Sequence, residues 1–201
     1  VRGRVDATDV GRCPACLVME ARCYCARLPS AVRLPVDTTI VVHHHERYKP
    51  SSTVRLLARV AHAETLTLAQ FGGRDDAPLG PRVDALAATP GAALLFPAEP
   101  GEFVVEPAAV RALIVPDGTW AQAKRVVRRW PGFATLPRVA LGPIDRGALG
   151  PTVRTPRHAD ELDTLSAIAL FFERRGESGV VEPLRRAHRA LLSAQRAWVE
   201  A

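Results

Sequence analysis

The chain has 201 residues and a formal charge of +6, with 27 Lys and Arg against 21 Asp and Glu. That length suffices for one well-buried domain plus a small appendage, and the arginine excess suits a polyanionic partner, although genome base composition alone also raises arginine. No apolar run reaches the length of a membrane span and Val1 to Gly11 lack the apolar core of a signal peptide, so the expectation is a cytoplasmic protein with no membrane partner.

Residues 1 to about 11 read as a disordered lead-in. All four cysteines follow in one short segment, Cys13, Cys16, Cys23 and Cys25, within CPACLVMEARCYC. In a reducing compartment a CxxC followed closely by CxC points to metal, because adjacent thiolates close a tetrahedral zinc site; two disulfides or four free thiols are the alternatives. With every ligand supplied by protein, such a zinc is structural. The segment is too small to hold a core without its metal, so residues 1–34 are expected to form a zinc knuckle packed on a main domain of residues 35–201.

Thr38 to Val42 is the first clear strand. Behind it comes HHHERYKPSST. Three histidines beside a glutamate suggest a second metal site, but adjacent residues of a strand point to opposite faces, so His43, His44 and His45 cannot share one ion without a bend, and the run reads as partly incidental. Ser51 or Ser52 is placed to cap a helix whose buried stripe is Val54, Leu57, Ala58 and Ala61. Thr65 to Ala69 reads as a second strand, Gly72 to Pro81 as loop, Arg82 to Ala88 as a short helix, and Ala92 to Phe96 as a third strand ending in Pro97 and Glu99. Val104 to Pro107 carries the chain out before the next strand.

Ala112 to Val115 suits a strand buried on both faces, broken by Pro116 and Gly118. Thr119 and Gln122 make a capping-box signature, and Trp120, Ala123, Val126, Val127 and Trp130 recur at helical spacing until Pro131. Lys124 and Arg128, and Arg125 and Arg129, form a cationic stripe on the opposite face. Asp117, Thr119 and Trp120 thus sit at the carboxyl edge of a parallel strand, where α/β proteins place ligands. Leu136 to Leu141 contains a strand interrupted by Pro137, and Gly142 to Pro156 is irregular. A helix with Asp160 in its acidic first turn buries Leu162, Leu165, Ala169 and Phe172 and ends at Gly176. A last amphipathic helix starts at Pro183 and runs through Leu184, Ala187, Leu191 and Trp198.

Alternating strands and helices imply an α/β fold, a mostly parallel sheet with helices on both faces. The absence of GxGxxG and of a Walker lysine motif argues against a dinucleotide fold and a P-loop nucleotidase.

The tetrapeptide DGTW, entered from a strand and left by a basic helix, resembles the signature of the DTW-domain family of tRNA-uridine aminocarboxypropyltransferases. Four further stretches match in family order: the cysteine knuckle, His43 with Glu46, Lys49, Pro50 and Thr53, the strand ending in Phe96 and Pro97, and Arg154, Pro156, Leu162, Thr164, Leu165 and Ala167. Ser52 stands where asparagine is frequent, and Ser166 where glutamate is common, which leaves Asp163 or Glu161 to supply that carboxylate. The resemblance implies a SPOUT-like domain with a C-terminal trefoil knot, S-adenosylmethionine as donor, tRNA as partner and a structural zinc. It implies transfer of a 3-amino-3-carboxypropyl group to N3 of a uridine, with Asp117, Thr119 and Trp120 catalytic. Phe96, Pro97, Asp117, Thr119, Trp120, Leu136, Leu162 and Thr164 would then hold the donor, and His43, Lys49, Lys124, Arg125, Arg128, Arg129, Arg154 and Arg157 the RNA. Asp117 is either the base or an anchor for the donor's amino group, and His43 either a substrate contact or a histidine satisfied by backbone. An RNA methyltransferase and a non-catalytic zinc-knuckle RNA binder are the other readings, and the chain is expected to act as a monomer.

Overall fold

The computed structural model describes residues 11–68, 80–149, 152–153 and 161–196. Six strands form one parallel sheet: β1 (Asp37–Val42), β2 (Glu64–Thr67), β3 (Ala92–Leu94), β4 (Val104–Val105), β5 (Ala112–Asp117) and β6 (Arg138–Val139). Their order across the sheet is β2-β1-β5-β3-β6-β4, and every pairing is parallel. Parallel neighbours need crossovers, which the helices supply. These are α1 (Thr53–Val60), α2 (Gly80–Ala87), α3 (Trp120–Arg129), α4 (Pro131–Ala134), α5 (Arg146–Leu149), α6 (Thr164–Arg174) and α7 (Ser178–Arg196).

Strand alternation splits the core in two. Ile40, Val42, Leu113 and Val115 point toward α1, α6 and α7 and meet Leu57, Phe171, Phe172, Leu184 and Leu191. Val41, Leu94, Ala112 and Ile114 point the other way and meet Val83, Val126, Val127 and Phe133 of α2, α3 and α4. Both faces of the central strands are therefore covered, as a buried parallel sheet requires. Cys16, Val18 and Tyr24 of the cysteine segment belong to the first of these cores, against Val54 and Val60 of α1. No helix among the described residues is long and apolar enough to cross a membrane.

Several elements differ from expectation for physical reasons. Pro116 does not break β5; it pairs opposite Val41, and the strand runs on to Asp117. β3 stops at Leu94 opposite Ile114, so beyond that point β5 has a partner strand on one edge only, where a residue without an N–H is tolerated. Ala58 is exposed, and Leu56 and Val60 fill the buried stripe of α1 in its place. Trp130 ends α3, but Pro131 at once starts the single turn α4, burying Phe133. A short helix, α5, stands within the stretch expected to be irregular. The first turn of α6 is capped by Asp163 rather than begun at Asp160, which lies outside the described residues with the rest of 154–160. α7 begins at Ser178, so Pro183 lies inside it. The bond Pro183 cannot make is to Gly179 in the first turn, where the residue is exposed to solvent. The threading of a knot depends on the path between β6 and α6, of which residues 150–151 and 154–160 lie outside the described residues. Ala69, Trp198 and the lead-in at 1–10 lie outside them as well.

One buried polar contact ties the two C-terminal helices. Asp163 accepts from the N–H and hydroxyl of Ser166, both at 3.0 Å, and His188 Nε2 of α7 lies 3.1 Å from its Oδ2. Burial alone raises the Asp163 carboxyl; the His188 bond and charge and the Ser166 donors outweigh it and leave the group below the usual range. Stability from this carboxylate is therefore present above the ordinary carboxylate pKa and is lost as pH falls through the lower folded value. His188→Ala should destabilise the fold by about 1–3 kcal/mol. Melting curves recorded against pH should also show the variant losing stability at higher pH than the parent; coincident acid limbs would mean the histidine does not hold the carboxylate ionised.

Candidate active site and cysteine cluster

The carboxyl ends of β3, β5 and β6 converge on one cavity of about 290 Å³. Its walls include Leu95 to Ala98 after β3, Val115, Pro116 and Gly118 around the end of β5, Trp120 and Ala123 of α3, Val139 to Gly142 after β6, and Leu162, Thr164 and Ala167 at the start of α6. Trp120 and Phe96 meet across it with ring centroids 5.6 Å apart, tilted 46°. The lining is mostly aliphatic and aromatic, with polar backbone supplied by the strand-end loops, as in small-molecule sites generally.

Asp117 closes β5 beside this cavity, 6% exposed. Its Oδ1 accepts a short hydrogen bond from Thr164 Oγ1, which lines the cavity wall. Its backbone carbonyl accepts from His43 N at 3.0 Å, continuing the β1–β5 ladder by one residue. Gly118 follows because nothing larger fits: a Cβ there would stand 2.9 Å from Gln122 Cβ and 3.4 Å from His43 Cβ. Thr119 is the N-cap of α3. Its side chain accepts from Gln122 N and its N–H donates to Gln122 Oε1 at 2.8 Å, the capping box read from sequence.

The expected donor-binding residues divide accordingly. Phe96, Pro97, Trp120, Leu162 and Thr164 line the cavity, and Asp117 reaches it through Thr164. Thr119 is exposed with its hydroxyl engaged in the cap, and Leu136 is buried on the opposite face of the sheet, against α3 and α4. Among the expected RNA contacts, Arg125, Arg128 and Arg129 are exposed along α3, and Lys124 reaches Glu99 at 2.7 Å. Lys49 pairs with the buried Glu46, and His43 is buried. Burial, then the neighbouring His44 and His45, push the His43 imidazole down to about 4, so it is neutral near pH 7. Arg154 and Arg157 lie outside the described residues.

Sequence reading missed the loop after β6 and the residue that fixes the opposite wall. Arg138, 3% exposed, donates to Glu102 through Nε at 3.1 Å and Nη2 at 2.7 Å, and through Nη1 to the carbonyl of Phe133 at 3.0 Å. This pins the 97–103 loop against β6, while Phe103 stands exposed just before Val104 at the cavity edge. No local pattern marks a buried arginine in a two-residue strand; only its alternation with apolar neighbours hints at it.

In the cysteine segment Cys13 and Cys25 Sγ atoms are 3.8 Å apart, as are those of Cys16 and Cys23. No disulfide joins them. A tetrahedral site with metal–sulfur bonds of about 2.3 Å has sulfur–sulfur edges of about 3.8 Å, so the four thiols could hold one metal ion. Individual thiols differ in environment. Burial pushes the Cys16 thiol up to about 12, whereas at Cys13 the smaller effect of burial is overcome by the N–H groups of Cys16 and Ala15, giving about 7. Arg59 donates to Cys25 Sγ at 2.6 Å, a cation placed against a cluster that would carry excess negative charge when ionised.

The arginine that fixes the cavity wall gives a direct test of the wall's construction. Glu102→Ala leaves the Arg138 guanidinium buried without its carboxylate and should destabilise the fold by about 1–3 kcal/mol in urea titrations. An unchanged midpoint would show that the loop is held by other contacts.

No curated protein and no solved structure matches the chain significantly. The profile of the DTW domain matches residues 10–196, a span holding the cysteine cluster, the Asp117–Trp120 turn and the α6 wall of the cavity. The chain belongs to the DTW-domain family, which is consistent with a tRNA-modifying transferase.

Proposed function

We propose that the chain transfers the 3-amino-3-carboxypropyl group of S-adenosylmethionine to N3 of a uridine in tRNA, acting as a monomer in the cytoplasm. The observation that carries this reading is the Asp117 carboxylate, buried at the end of β5 and bonded to Thr164 in the wall of the cavity. At about 290 Å³ that cavity lies near the lower end of small-molecule sites, so it suits a nucleoside. The Phe96 and Trp120 rings supply an aromatic lining of the kind that packs on adenine or on an extruded base.

S-adenosylmethionine supplies an electrophilic carbon next to a sulfonium. The side chains then have three tasks. Asp117 accepts the uridine N3 proton while the N3 electron pair forms the new N–C bond; the C–S bond breaks and methylthioadenosine leaves as a neutral thioether. Thr164 orients the carboxylate by donating to Oδ1. Arg125, Arg128 and Arg129, spaced along the exposed face of α3, meet RNA phosphates. The base role predicts that Asp117→Asn retains donor binding by calorimetry but loses about 10²–10⁴ in kcat. Full turnover in that variant would leave Asp117 as an anchor for the donor's amino group. The small product identifies the reaction itself: methylthioadenosine marks aminocarboxypropyl transfer, and S-adenosylhomocysteine would make the chain a methyltransferase instead.

The same reading assigns the four thiols to a structural zinc. Cys13, Cys16, Cys23 and Cys25 fill a tetrahedron and leave no open position, so the ion holds the segment and takes no part in transfer. Because Cys16 and Tyr24 are packed into the core beside α1, removing the metal should be felt beyond the segment. A chelator strong enough to strip zinc should release about one equivalent per chain and lower Tm, with readdition restoring it. Release of no zinc from protein purified without added metal would overturn the assignment.

A further inference from the structure

The three consecutive histidines form a cluster that strand alternation would forbid. β1 ends at Val42, and the chain turns at once: Glu46 N donates to the His43 carbonyl at 2.8 Å and His45 N to His43 Nδ1 at 3.4 Å. The turn folds the imidazoles onto one side, with ring centroids 4.4 Å apart for His43 and His44, 3.9 Å for His44 and His45, and 5.3 Å for His43 and His45. One ring nitrogen of each lies within 4.8 Å of the others. The bend that the sequence left unspecified is therefore present.

We propose that His43, His44 and His45 form a second metal site, selective for a divalent transition ion of the zinc, cobalt or nickel type. Imidazole nitrogen is the preferred ligand of these ions, and magnesium or calcium would require oxygen donors that the cluster does not offer. Three nitrogens each about 2.1 Å from an ion stand about 3.0–3.4 Å apart, so closing the site needs side-chain rotation that brings the nitrogens nearer by up to about 1.4–1.8 Å. The graded burial favours this. His43 is buried and fixed by its backbone bond to Asp117, His44 is half-buried, and His45 is exposed, so a fixed ligand is backed by two that can adjust. Glu46, the nearest carboxylate in the chain, is buried and held by Lys49, which leaves the donor set all imidazole. Three protein ligands leave a fourth position unfilled, the arrangement of an open site, unlike the four thiols of the cysteine cluster. The site lies directly against the Asp117–Gly118 turn, through the His43 backbone bond and the Gly118 approach to His43 Cβ.

The test uses the untagged, full-length protein and Co²⁺ alone as probe, followed by absorption and equilibrium dialysis. Cobalt on thiolates gives an intense charge-transfer band; cobalt on imidazoles gives only weak ligand-field bands, so the two sites are read separately. The parent should bind about one equivalent of Co²⁺ without a thiolate band. His45→Ala, at an exposed position, and His44→Gln, which keeps bulk and polarity, should each weaken that binding at least about tenfold and leave the thiolate band unchanged. Binding of equal strength in both variants, or no uptake beyond the thiolate site in the parent, would overturn the proposal.

Discussion

The hydrogen bond between Asp117 and Thr164 joins the end of the central strand to the start of α6, 47 residues later in the chain. Each side is fixed independently. Asp117 is held by the β1–β5 ladder, which continues through the His43 N–H to its carbonyl, and Thr164 is the first residue of a helix capped by Asp163. A carboxylate desolvated at this depth requires a donor, and the donor comes from the same helix turn that lines the cavity. The position of the acid and the shape of the cavity are thus one constraint. His188 extends it into α7, because the carboxylate it touches is the cap that sets where α6 begins.

The opposite wall rests on a different kind of contact. Arg138 is an arginine in a strand, buried, with a carboxylate and two carbonyls around its guanidinium. Such an ion adds little net stability over an apolar residue of similar size, but it fixes the angle of the 97–103 loop more tightly than apolar packing would. Phe96, whose ring packs on Trp120, sits just before that loop. Lys124 reaches Glu99 of the same loop from α3, at exposed positions where the pair contributes orientation more than energy.

What the sequence disclosed was what short-range physics determines. The capping box at Thr119 and Gln122, the buried run before it and the cationic face of α3 each depend on residues within four positions of one another, and each was found where expected. The cysteine spacing was legible for the same reason. Features decided by distant partners were not. Pro116 reads as a strand breaker until β3 is seen to stop opposite Ile114, and Pro183 reads as a helix start until Val180 and Val181 are found buried against the core. Leu136, which the resemblance assigns to the donor, packs among the buried residues that meet α3 and α4. Arg138 and His188 carry little local mark, since their importance comes from carboxylates 36 and 25 residues away.

The histidine run shows how a correct local rule can be applied one residue too far. Alternation holds only while the backbone is extended, and the hydrogen bond from Glu46 N to the His43 carbonyl ends the extension at the first histidine. What ends it is the sheet itself. His43 N is committed to Asp117 at the last rung that β5 can offer, since Gly118 leaves the strand to enter α3, and β2 on the other side is paired only as far as Val42. With no further rung on either edge the chain must turn, and the side chains past that point gather on one side. The same strand end therefore places the carboxylate of Asp117 by the cavity and folds three imidazoles together beside it.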